Sequence, residues 1–142
     1  MAEPDFDRRL IERAYPLQAR LGFEMTGWRA DYARFELPLA PHLMNRYGIP
    51  HGGVYATLLD TVMSYAGCFT GDPDRRVLSM TLTMTTNFLS RPAGTRLIAQ
   101  GHRIGGGKST FFAEAQVQDD QGNLIATGSG TFRYRRSGPP AG

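Results

Sequence analysis

The stretch Asn45-Arg46-Tyr47-Gly48-Ile49-Pro50-His51-Gly52-Gly53-Val54-Tyr55-Ala56-Thr57-Leu58-Leu59-Asp60-Thr61-Val62-Met63-Ser64-Tyr65-Ala66-Gly67-Cys68-Phe69-Thr70 decides the fold. Pro38, Pro41, Gly48 and Pro50 mark residues 40–50 as a loop. From His51 to Thr70 the pattern is helical, opened by Gly52-Gly53 and closed by Gly71. Val54, Leu58, Val62, Tyr65 and Phe69 share one stripe, and Tyr55, Leu59, Met63 and Ala66 cover much of the remainder. A helix of about five turns that is apolar on nearly every side must be surrounded by protein.

What flanks the helix supplies that protein. Residues 5–20 carry Leu10, Ile11, Ala14 and Leu17 at helical spacing, so a short N-terminal helix is expected, with Pro16 ending its regular part. Residues 22–39 alternate and break at Ala30-Asp31, the pattern of a hairpin. After the long helix only strand patterns follow, over 77–89, 95–104, 109–118 and 124–135. Pro92 and Gly94, then Gly105-Gly106-Gly107, then 119–123 are the turns between them. Arg133, Arg135 and Arg136 flank Tyr134 in a pattern that suits an edge strand, and 137–142 read as a flexible tail. The expected class is α+β: one domain over 1–142, with an antiparallel meander curled round one central helix. Open sheet edges in so small a chain favour pairing with a second copy.

Composition narrows the function. The chain has 142 residues, enough for one core but not two, and 41% of them are apolar. No apolar run is long enough to span a bilayer, and the mixed-charge N-terminus is not a secretory signal, so neither membrane insertion nor export is expected. One cysteine, Cys68, excludes an internal disulfide framework and points to a reducing, cytoplasmic home. The net charge of +3 is too mild to suggest nucleic acid. Its distribution is uneven: 75–113 holds no acid but carries Arg75, Arg76, Arg91, Arg96, Arg103 and Lys108. This is either a solvated basic face or a patch for a small polyanion.

One side chain stands out chemically. Between Glu36 and Asp72 the only carboxylate is Asp60, set among Leu58, Leu59 and Val62. Aspartate is a poor mid-helix residue and costly to bury. It either faces a polar seam or is held for general-base or nucleophilic work. Eight residues earlier, Gly52 presents a backbone N–H at a helix N-terminus, where the dipole favours negative charge. Asn45 can add an amide donor, or merely cap the loop. Together these are the parts of an oxyanion site with a carboxylate, as acyl transfer to water needs. Other chemistries fit poorly. The segment 101–109 misses the phosphate-loop spacing at His102 and leads into a strand. His42, His51 and His102 are too scattered for a helical metal pair, so no metal is expected. Cys68 reads as an inert core thiol, and Trp28 as core.

The run from Asn45 to Asp60 resembles hotdog-fold acyl-CoA thioesterases, above all their phenylacetate-degradation (PaaI-type) branch, which has Asn, Gly, His-Gly-Gly and a helical Asp at these spacings. The resemblance continues through 86–94, Gly107-Lys108-Ser109 and 126–132, and covers roughly 40–133. It implies five or six antiparallel strands wrapped round one helix. It also implies a homodimer, often a dimer of dimers, with sites at the interface. By position, the Gly52 N–H and the Asn45 amide would hold the thioester oxygen, with His51 and Gly53 supporting that loop. Asp60 from the opposite subunit would activate water or attack directly. Thr81, with Ser79 and Thr83 as neighbours, would place the water, and Ser64 would help from one turn beyond Asp60. Arg91, Arg103 and Lys108 are the candidates for the coenzyme A nucleotide, and Tyr55, Leu59, Met63, Met84 and Phe88 for the acyl pocket. No cofactor is implied beyond the coenzyme A of the acyl-CoA substrate. A hotdog dehydratase acting on hydroxyacyl thioesters, and a non-catalytic acyl-CoA-binding module, are the alternatives.

Overall fold

In the computed structural model, residues 6–135 are described; the whole of the expected flexible tail, 137–142, lies outside them, as do Arg136 and the first residue of the expected helix over 5–20. A 3-10 turn at Arg8–Leu10 leads to the helix α1, Pro16–Leu21. The strands β1 (Glu24–Arg29) and β2 (Tyr32–Pro38) form the expected hairpin, and Asp31 takes the left-handed conformation at its tip. The long helix α2 spans Gly52–Gly67, and β3 (Ser79–Phe88), β4 (Arg96–Gly106), β5 (Thr110–Asp119) and β6 (Leu124–Tyr134) follow.

Six strands make one antiparallel sheet in the order β1-β2-β4-β5-β6-β3. This corrects two expectations. Only β4, β5 and β6 form a meander, because β3 crosses beyond them to pair with β6. β6 is therefore interior, and the basic residues near its end do not close an edge. The edges are β1 and β3. The N-terminal helix is also shorter than the apolar spacing suggests. Pro16 begins α1 instead of ending it: its fixed φ and missing N–H suit the first helical position, and Gly22, left-handed at φ 95°, stops the helix.

α2 lies across the sheet. Leu58, Leu59, Val62 and Met63 are sealed from solvent, as are Phe35, Leu37, Phe111 and Phe132 beneath them. Alternation along β5 works as expected, with Phe111, Ala113, Ala115 and Val117 inward. Two glycines allow close packing, Gly101 of backbone on backbone and Gly67 of backbone on an aromatic ring. A Cβ on Gly101 of β4 would stand 2.6 Å from the Val62 carbonyl, and one on Gly67 would strike the Phe111 ring at 2.3 Å. The last carbonyls of α2 are satisfied by side chains: Trp28 Nε1 donates to Tyr65 O at 2.8 Å and Tyr134 OH to Gly67 O at 2.7 Å.

α2 is not apolar all round. Ala56, Thr57, Asp60 and Ser64 form a stripe of small and polar residues that the sheet does not seal. At the end of the sheet that carries Phe88 beside the start of α2, the turns after β3 and β5 are locked by Asp119. Its buried carboxylate accepts from the backbone N–H groups of Ala93 (2.8 Å), Gly94 (3.2 Å), Gln121 (3.0 Å) and Asn123 (2.9 Å), and from Asn123 Nδ2 (2.9 Å).

Candidate active site

The loop over 40–50 is built to deliver the start of α2. Asn45 Oδ1 accepts from Tyr47 N at 2.8 Å and Ile49 N at 3.4 Å, closing the turn at left-handed Gly48. The side-chain carbonyl is thus a loop cap, while Nδ2 finds no acceptor among the described residues. His51 is the N-cap of α2: its Nδ1 accepts the Gly53 N–H at 2.8 Å. That bond takes one of the two glycine donors. The Gly52 N–H has no acceptor among the described residues, so it is the one available to an oxygen. The Phe88 ring lies over this corner, 3.3 Å from where a Gly52 Cβ would stand.

Asp60 is half-buried rather than enclosed, on the open stripe of α2. Thr81 Oγ1 donates to its Oδ1 at 2.5 Å. No cation pairs with it among the described residues. Thr81 is thus the hydroxyl that reaches Asp60. Ser79 instead shares a 2.8 Å hydrogen bond with Ser64, so Ser64 bridges helix to strand one turn along from the carboxylate. Thr83 lies beyond a bulge in the β3–β6 ladder, paired with Thr131. The bulge separates Thr83 from Thr81 in the register.

A groove of about 570 Å³ opens beside Asp60, lined also by Thr57, Thr61, Ser64, Thr81 and Met84. Its outer wall comes from the N-terminal segment: Leu17, and Tyr15, whose hydroxyl shares a 2.7 Å hydrogen bond with Thr61 Oγ1. Burial, joined by the nearby Asp60 charge and opposed by that hydrogen bond, pushes the Tyr15 phenol up. The hydroxyl therefore keeps its proton at neutral pH. Tyr15, Leu17 and Thr61 escape sequence reasoning; the available signal is the i, i+4 recurrence of small and hydroxyl residues at 56, 57, 60, 61 and 64. The expected acyl pocket is corrected in part. Tyr55, Leu59 and Met63 point into the protomer's own core, at 5%, 0% and 0% exposure, because their helical stripe faces the sheet. Met84 lines the groove, and Phe88 is 59% exposed at the Gly52 corner.

The expected basic patch is not one patch within the protomer. Arg76 pairs with Glu12 at 3.0 Å and Arg96 with Glu36 at 3.1 Å. Lys108 sits in the β4–β5 turn near the start of β3, since Tyr134 reaches both Ser79 and Ser109, and half-buried Arg103 lies on β4. Arg91 follows the other end of β3, about 30 Å away along the sheet. Cys68 is buried, and burial pushes its thiol up, as suits a core residue. The segment 101–109 is strand and hairpin turn, not a phosphate loop.

Gly52 and Asp60 stand eight residues apart on α2, about 12 Å. One protomer therefore cannot offer both to a single carbonyl. A six-stranded antiparallel sheet packed on one long helix is the hotdog architecture. The sequence profile of the thioesterase superfamily matches residues 47–126, and the chain belongs to that superfamily. Among curated proteins it is 35% identical over 51 residues to one of Mycobacterium tuberculosis named "Putative esterase Rv1847". That alignment spans 36% of this chain and only 36% of the relative. The solved structure of that protein has a TM-score of 0.77 at 22% identity, covering 88% of this chain and 100% of that one. The BH2602 protein of Bacillus halodurans, solved with CoA, is 29% identical with a TM-score of 0.75, covering 89% of this chain and 83% of that one. PaaI of Escherichia coli, from the phenylacetic acid degradation operon, matches in fold with a TM-score of 0.75 at 20% identity, covering 87% and 86%. No helix among the described residues is long and apolar enough to cross a membrane.

Proposed function

We propose that this chain is an acyl-CoA thioesterase acting as a homodimer in the reducing cytoplasm, each site built from two subunits. The observation that carries this reading is the Asp60 carboxylate, pinned by Thr81 at one oxygen, unpaired with any cation among the described residues, at a groove of about 570 Å³. Thr81 fixes Oδ1 and leaves Oδ2 for a water. The partner's copy of the helix start would supply the Gly52 N–H and the Asn45 Nδ2 donors. β3 suits such pairing: its outer edge is free, and Leu78, Met80, Leu82, Phe88 and Leu89 are exposed along it and beyond it.

The reaction then balances simply. Water attacks the thioester carbonyl as Asp60 takes its proton. The carbonyl oxygen becomes an oxyanion held by the two N–H donors, and dipoles fixed in advance are worth several kcal/mol there. Collapse breaks the C–S bond, and the proton on Asp60 goes to the leaving thiolate, giving a free acid and coenzyme A. No metal or redox cofactor enters these steps. His51 is poorly placed to be the base of a dehydratase, because its Nδ1 lone pair is engaged by the Gly53 N–H. A panel of acyl-CoA esters with a thiol-detecting reagent tests the reading. Free thiol should appear with wild-type protein; its absence across aryl, short and medium-chain esters would overturn it.

A further inference from the structure

The groove beside Asp60 continues past Ser64. Three hollows lie end to end between the N-terminal segment and the stretch leading into β3. The first is the groove already described. The second, about 220 Å³, shares Tyr15, Ser64 and Tyr65 with it and runs on to Trp28, Cys68 and Arg76. The third, about 250 Å³, shares Glu12, Trp28 and Arg76 with the second and opens among Arg9, Arg13 and Arg75.

Charge changes sign along this path. The near end holds the lone carboxylate of Asp60. The far end holds four guanidinium groups against Glu12 and Asp72. Arg9 is engaged by Asp7 at 2.6 Å, and Arg76 by Glu12 at 3.0 Å. The side chains of Arg13 and Arg75 make no ion pair or hydrogen bond among the described residues. Between the ends the walls are aromatic and hydroxylic, which suits a neutral, weakly polar arm. α2 advances about 12 Å from Asp60 to Cys68, and the arginines lie beyond.

The geometry points to a subsite at Arg13, Arg75 and Arg76 for the anionic end of the substrate, more than about 12 Å from the reacting carbonyl. Guanidinium forks bind phosphate and carboxylate oxygens in pairs, and an arriving anion competes with Glu12 for Arg76. The inference takes the position of the carbonyl from the thioesterase reading. Two sources supply such an anion: the nucleotide phosphates of coenzyme A, held away by the pantetheine arm, or a carboxylate at the far end of a diacid acyl chain.

Calorimetric titration with coenzyme A, which needs no turnover, tests the first source. R13E/R75E should bind at least tenfold more weakly than wild type, with R13Q/R75Q moving less in the same direction. R20E, at an exposed position of α1 that lines none of the three hollows, should bind as wild type does. If coenzyme A binding is unmoved in R13E/R75E but KM rises tenfold for an adipoyl thioester of pantetheine and not for the hexanoyl one, the anion is the acyl carboxylate. If neither quantity moves, the subsite is overturned even in an active enzyme. If binding weakens in a protein that hydrolyses no thioester, the subsite stands and the thioesterase reading falls. Both arginines are exposed, and thermal unfolding of each variant verifies the fold.

Discussion

Asp60→Asn is the sharpest perturbation of the proposed mechanism. The side chain keeps its shape, and its Oδ1 still accepts the Thr81 hydroxyl now bonded at 2.5 Å, so the fold should survive. What disappears is a group able to take a proton from water. General-base assistance is typically worth 10²–10⁴-fold, so kcat should fall by about 2.7–5.5 kcal/mol of activation energy. Thr81→Val removes the hydrogen bond and keeps the shape. A bond to a charged group contributes roughly 1.5–3 kcal/mol, which sets a ceiling of roughly 10–150-fold on the loss in kcat. Thr81 acts through Asp60, so the two changes should not add: D60N/T81V should be no slower than D60N. The assay is steady-state thiol release at saturating acyl-CoA, with thermal unfolding as the fold control. A D60N enzyme within tenfold of wild type would remove Asp60 from the chemistry. Fully additive effects would show that Thr81 works on something other than the carboxylate.

Gly52→Val should lower kcat by roughly 10²–10³-fold, the cost of losing one oxyanion donor, because a branched side chain blocks the N–H and meets Phe88; unchanged turnover would exclude that donor. Gly101→Ala forces a methyl into the Val62 backbone and should destabilise the protein by about 1–3 kcal/mol, as overpacking does; denaturant unfolding with no change in midpoint would contradict the close approach. Asp119 is held below the ordinary carboxylate range, chiefly by the Asn123 side chain and then by backbone N–H groups. A group depressed in the folded state stabilises fully above its unfolded value, about 3.9, and loses that contribution as pH falls. D119N should therefore melt lower than wild type at pH 7, and the gap should narrow as pH is taken from 5 to 2; a constant gap would refute the linkage.

The central helix and the strand count were readable because both rest on local periodicity. Leu58, Val62, Phe111 and Val117 carry their burial in their spacing. The place of β3 was not readable. Strand order depends on which edge offers the better partner, and nothing in 79–88 distinguishes β4 from β6. Pro16 misled for a related reason: the same residue ends one helix or begins another, and only Gly22 downstream decides which. At the candidate site, Asp60 and Gly52 were visible as a residue type out of place and a donor at a fitting distance along the chain, whereas Thr81 came only from the family resemblance. Tyr15 and Leu17 were not visible, since their role depends on a segment folding back over α2 from more than 40 residues away. The basic stretch over 75–113 was legible as composition but misleading as a surface, because a strand about 30 Å long carries its ends apart.

Because Gly52 and Asp60 ride on one rod two turns apart, every dimer would hold two sites, each borrowing its donor from one chain and its acid from the other. A chain carrying either lesion alone spoils one site and spares the second when joined to an intact chain. A chain carrying both silences its healthy companion altogether, so such an allele would act dominantly wherever the two are co-expressed.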